Sequence, residues 1–201
     1  NDCIFMDNEP GNICQAKNFK YIDYLIHSGV DEIVLDSDHI FTDKEESKFK
    51  KGIEIDIDNI VINGNGRSID ACGKSIIFRC TGKNITIKNV ILKNGNYCAI
   101  KNENGNLNID NSTLKYNRKV IENTERGNLT INKSTLYQNN GTAIENEDGE
   151  ITITESSVNQ NIGAAIKNLN GNIKVFNCKI LNNKDDYIIS NEDSLQIHYC
   201  T

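Results

Sequence analysis

Leu107, Leu129, Ile151, Ile173 and Leu195 follow one another at intervals of 22 residues, and this spacing constrains the chain more than any other feature. Two positions later Ile109, Ile131, Ile153, Val175 and Ile197 keep the same step. Ser112, Ser134, Ser156, Cys178 and Cys200 keep it again, as do Leu114, Leu136, Val158 and Ile180, and then Asn117, Asn139, Asn161 and Asn183. The rule also extends backward, to Ile85, Ile87 and Leu92. A fixed period of this length marks a solenoid, in which each repeat buries its apolar face only against its neighbours.

The repeat is a β-coil. Apolar and polar positions alternate within each unit, as in Leu107 and Ile109, which is the period of a strand with one buried face. Ile and Val occupy the inward positions, and Asn and Gly punctuate them. No stretch of the repeats keeps an i, i+3, i+4, i+7 stripe. Three short strands per coil, stacked at roughly 4.8 Å, predict an all-β fold: a single-stranded right-handed parallel β-helix. Low-complexity disorder is the competing reading of an Asn-rich chain, but the strict Ile/Leu register opposes it.

Three segments are expected. Residues 1–17 carry Cys3 and Cys14 without strand or helix period and read as an N-terminal arm, stapled to itself or cross-linked to a neighbour. Residues 18–30 read as a short capping α-helix. Phe19, Ile22, Leu25 and Ile26 share one face, with Asn18 as N-cap and Gly29 beyond the C-terminus. Residues 31–201 are the β-helix, beginning at Glu32–Asp36, interrupted by a charged loop from Thr42 to Lys51 and resumed at Ile53, Ile55 and Ile57. Gly64 and Gly66 make a turn and not a phosphate loop, since neither a third glycine nor a helix follows.

From here a resemblance emerges. The capping helix followed by Asn59-Ile-Val-Ile-Asn-Gly-Asn-Gly-Arg-Ser-Ile-Asp70 resembles the first coils of methanogen adhesin-like surface proteins. Cys98-Ala-Ile, Thr142-Ala-Ile and Ala164-Ala-Ile, each with an Asn two positions beyond the Ile or nearby, resemble degenerate polymorphic outer-membrane-protein repeats on the pectin-lyase-like fold. The resemblance covers residues 18–201. It implies an archaeal-type, secreted, cell-surface protein without enzymatic activity, either structural or adhesive.

Chemistry has to be read from the residues themselves, because the fold also hosts polysaccharide lyases and hydrolases. Of the galacturonase-type motifs, only Asp185-Asp186 is present. His27, His39 and His198 are far apart in sequence, and Arg67, Arg79, Arg118 and Arg126 share no column with an acid cluster. No catalytic residue or cofactor is expected. Glu103, Glu125 and Glu147 are 22 residues apart and would stack as repelling carboxylates, either a weak calcium site or side chains splayed into water. Asn102, Asn123, Asn146 and Asn168 form an inward amide ladder, preceded by Cys80 and continued by Ser190.

Seven cysteines favour an oxidising, extracellular setting, and the odd number leaves one unpaired within a monomer. Cys178 and Cys200 end the serine column, as a disulfide or as two small side chains in serine slots. Cys72, Cys80 and Cys98 cluster on adjacent coils, where one pair is plausible. Asn84, Asn111, Asn128, Asn132 and Asn140 stand in Asn-x-Ser/Thr sequons, about as many as the Asn content alone produces. The net charge of −6, with lysines scattered among acids, gives no nucleic-acid stripe. No apolar run is long enough for a membrane span. Beginning at Asn1 without Met, the chain reads as a processed protein or an excised piece. The expected partners are further copies or domains, joined through an open β-edge or cysteines, and glycans.

Overall fold

The computed structural model describes residues 16–45, 47–185 and 188–201. They form a parallel β-helix with three sheets, of eight, eight and seven strands in the order a coil meets them, in which every pairing is parallel. Each regular coil visits the sheets in turn, for example at Asn106–Asp110, Thr113–Lys115 and Ile121–Thr124. The expected columns are the observed register. Leu107 pairs with Leu129, Ile109 with Ile131 and Leu114 with Leu136. Their side chains are buried from Ile85 to Val175, each contributing about 1.5–3 kcal/mol relative to exposure, and become partly exposed at Ile180, Leu195 and Ile197.

The corners explain the punctuation. Between the first two sheets each coil turns on a single left-handed residue. These are Asn89, Asn111, Lys133, Glu155, Asn177 and Tyr199, with φ from 44° to 55°. A second left-handed column, Asn94, Tyr116, Gln138, Gln160 and Asn182, makes the next corner. Asparagine tolerates this conformation best among residues with a side chain. The stacking geometry imposes it on Lys, Glu, Tyr and Gln as well.

The amide ladder is present inside. The Nδ2 of Asn102 donates to Asn123 Oδ1, that of Asn123 to Asn146 Oδ1 and that of Asn146 to Asn168 Oδ1, each at 2.7 Å. Asn168 then donates to Asn191, not to Ser190 as expected, because one extra residue in the preceding corner shifts the register. Cys80 lies under Asn102 at the other end, where Asn102 Oδ1 has no hydrogen-bond partner. A second ladder, Asn117, Asn139, Asn161 and Asn183, runs along another corner. The carbonyl oxygens of Asn139, Asn161 and Asn183 each accept both the side-chain amide and the backbone N–H of the ladder residue in the coil before, and that of Asn117 accepts Gly95 N–H.

The N-terminal coils are less regular. Phe19–Ile26 is the α-helix, capped by Asn18 Oδ1 accepting from Tyr21 N at 3.1 Å. Its Phe19, Ile22 and Ile26 are buried, and it packs on strand Ile53–Ile55. Ala16–Lys17 form a short strand against Asp38–Ile40, so the end of the expected arm already belongs to the sheet. Cys3 and Cys14 lie outside the described residues. The charged loop is not featureless. Ser47–Lys51 is a 3₁₀ turn held by buried Phe49, and this insertion lengthens the step from Ile33 to Ile62 to 29 residues.

Candidate functional site

The outward position of the Ile-x-Asn strands carries the densest chemistry. In the seven-stranded sheet Glu54, Arg79, Lys101, Glu122, Glu145 and Lys167 are consecutive neighbours across coils. Arg79 stands in one column with Glu54, Glu122 and Glu145, which are not gathered into a metal-ligand cluster among the described residues. The charges interlock. Arg79 binds Glu54 at 2.9 Å and also Glu103, while Lys101 reaches Glu103 at 2.6 Å. Lys119, from the preceding corner, binds Glu145 and lies 3.4 Å from Glu122, and Lys167 closes on Glu145 at 3.3 Å. The Tyr97 hydroxyl donates to Glu122 at 2.8 Å, and its ring faces Lys119 at 5.0 Å.

The electrostatics follow from this pairing. Burial works against the charge of Glu103, but hydrogen bonds from Lys101 and Arg79 outweigh it and hold the carboxyl below its usual range. Glu145 behaves alike under Lys119 and Lys167. Lys119 is raised, since the Glu145 contact overcomes its own desolvation. The Glu122 hydrogen bond raises the Tyr97 hydroxyl. Each of these groups is fixed in its charged or protonated form at neutral pH. A general acid or base needs a pKa near the working pH, and the shifts of Glu103, Glu145, Lys119 and Tyr97 run away from it.

The three spaced glutamates do not form a column. The step from Asn102 to Asn123 is one residue short, so Glu103 pairs with Thr124, and Glu125 is displaced into a left-handed turn in solvent. Glu147 is also exposed. Among the described residues no three His, Cys, Asp or Glu side chains converge as metal ligands.

The described cysteines, Cys72, Cys80, Cys98, Cys178 and Cys200, are all free thiols. Cys178 and Cys200 occupy serine slots. Ser134 Oγ accepts from Ser112 N at 3.1 Å and Ser156 Oγ from Ser134 N at 3.0 Å, and Cys200 Sγ accepts from Cys178 N at 3.4 Å. Cys80 and Cys98 are buried, and desolvation raises both thiols. Cys72 is exposed, and its thiol is raised by partial burial and by Asp70. None has the electropositive surroundings of a reactive thiolate.

The histidines stay apart. His27 hydrogen-bonds Asp23 O at 2.8 Å and Asp56 at 3.1 Å, which raises its pKa. Ser47 lines the same cavity of about 570 Å³, but no Ser–His hydrogen bond forms a nucleophile–base pair there. Asp185 is exposed and lies in no such cluster. The charged row was legible as the variable residue of Ile-x-Asn, reading Lys, Glu, Glu, Lys. Its meaning needed the corner residues Tyr97 and Lys119 beside it.

Residues 98–201 match the family model described as a right-handed β-helix region. No curated protein matches the chain.

Proposed function

The chain belongs to the right-handed β-helix family, and from that premise we propose that it is a non-enzymatic structural and adhesive element of the cell exterior. The observation that carries this reading is the interlocked row on the seven-stranded sheet. Every carboxylate there is engaged by Lys, Arg or Tyr. Such a row braces neighbouring coils and presents a polar face, and its ion pairs engage the carboxylates that a glycan-cleaving site would need free.

Assembly is part of the same proposal. Among the described residues, strands Lys179–Leu181, Ile189–Asn191 and Ser194–His198 pair on one side only, an edge of the kind on which a parallel β-layer can add. The experiment is protease treatment of intact source cells, followed by sedimentation velocity of the purified chain. Cleavage on intact cells and concentration-dependent association support the reading. A chain protected until lysis and monomeric at all concentrations contradicts it.

A further inference from the structure

The turn Ser47–Lys51 lies beside the charged sheet at its N-terminal end, and the cavity they line together carries an excess of positive charge. About 410 Å³ is lined by Lys50, Lys51, Arg79, Lys101, Tyr97 and, as the sole acid, Glu103. That size lies within the usual range for small-ligand pockets, about 300–1,000 Å³. Four cations therefore face one carboxylate, and Arg79 and Lys101 already hold that carboxylate. Lys50 and Lys51 are exposed and form no ion pair among the described residues. In a chain of net charge −6 this local surplus runs against the average.

The turn is anchored. Phe49, in the middle of the turn, is buried, and the buried Ser75 hydroxyl donates to Phe49 O. Gly52, at φ 97°, ends the turn with its N–H donating to Phe49 O at 3.0 Å. The lysine ammoniums are thus displayed from a fixed backbone, which lowers the ordering cost of binding. Tyr97, 45% exposed, adds a flat ring to the wall, of the kind on which a sugar ring packs. Asn96 supplies an amide beside it.

We propose that this cavity binds an acidic saccharide, its sulfate or carboxylate held by Lys50 and Lys51 and its ring lying against Tyr97. The inference stands apart from the assembly reading, and either can fail alone. Titration calorimetry would use a heparin-derived tetrasaccharide, a tetragalacturonate, maltotetraose and inorganic sulfate. The expected result is binding of at least one acidic tetrasaccharide, weakening with added salt, with maltotetraose inert and inorganic sulfate much weaker. Which acidic probe binds more tightly identifies the anion.

The double variant Lys50→Gln/Lys51→Gln should lose about tenfold in affinity, the scale of charge-assisted contacts. Lys174→Gln/Lys179→Gln, an equal charge change on the other two sheets, should lose nothing. Tyr97→Phe should keep binding and Tyr97→Ala lose it. The proposal is overturned if neither acidic probe binds at millimolar concentration or if both lysine pairs weaken binding equally. Inorganic sulfate binding as tightly as the saccharides overturns the ring contact.

Discussion

The side-chain amide of Asn123 donates to the Oδ1 of Asn146 at 2.7 Å inside a wall that excludes water, so each coil satisfies the polar group of the coil before it. Asn123 also donates to Gly127 O at 2.7 Å and accepts from Asn102. Replacing it by Ala removes the donor to two buried acceptors, Asn146 Oδ1 and Gly127 O, while Asn102 Nδ2 keeps Gly105 O and Asn128 O. At about 1–3 kcal/mol each, partly recovered by relaxation, the loss should be about 3 kcal/mol. Urea unfolding of Asn123→Ala against the parent measures it, and a cost under about 1 kcal/mol would mean that the ladder is not cooperative.

Lys133 and Glu155 sit at φ 47° and 48° in a column otherwise favouring Asn. Their side chains gain nothing from that conformation. Lys133→Asn and Glu155→Asn should each stabilise by about 0.5–1 kcal/mol, and Asn177→Lys should lose a similar amount. Thermal melts of the three variants would read the effect, and unchanged midpoints in all of them would remove the strain argument.

Cys178 and Cys200 act as serines with larger atoms. Cys178→Ser and Cys200→Ser should keep stability within about 1 kcal/mol, whereas breaking a native disulfide typically costs about 2–5 kcal/mol. Thiol counting on the denatured, unreduced protein provides the second readout. Finding these two oxidised to each other would refute the serine-slot assignment.

His39 is buried, stacked on Tyr21 at 6.0 Å, and neither ring nitrogen has a hydrogen-bond partner. Burial lowers its pKa from 6.5 to about 4. The unfolded chain therefore takes up the proton first. The cost to the fold begins as pH drops below 6.5 and is complete below about 4, reaching roughly 3 kcal/mol. Glu103 and Glu145, with depressed pKa values, add their losses only below about 4.5. His39→Phe should flatten the melting temperature between pH 6.5 and 4.5, and parallel pH profiles for variant and parent would contradict this.

The residues show why part of this was readable and part was not. From Ile85 onward, spacing alone places strands, interior and serine slots, because identical coils repeat identical environments. The same rule failed at Glu125 and Ser190, where coils of 21 and 23 residues shift the register through a corner. Strand Asp38–Ile40 was invisible because its one inward residue is His39, which reads as polar. The turn around Phe49 looked like a loop because a single apolar anchor sits among lysines. Both are held by tertiary packing that no local period records. The charged row was present in the text of the repeats, but its pairing depends on residues one corner away.

The central claim, that the charged row binds and braces but does not catalyse, is tested most directly by turnover. Purified protein is incubated with polygalacturonate, heparin, alginate and neutral polysaccharides, while reducing ends and unsaturated-uronate absorbance are followed. The account predicts no product above the heat-denatured control on any of them. Product formation that disappears in Glu122→Gln, with the fold retained by circular dichroism, would contradict it.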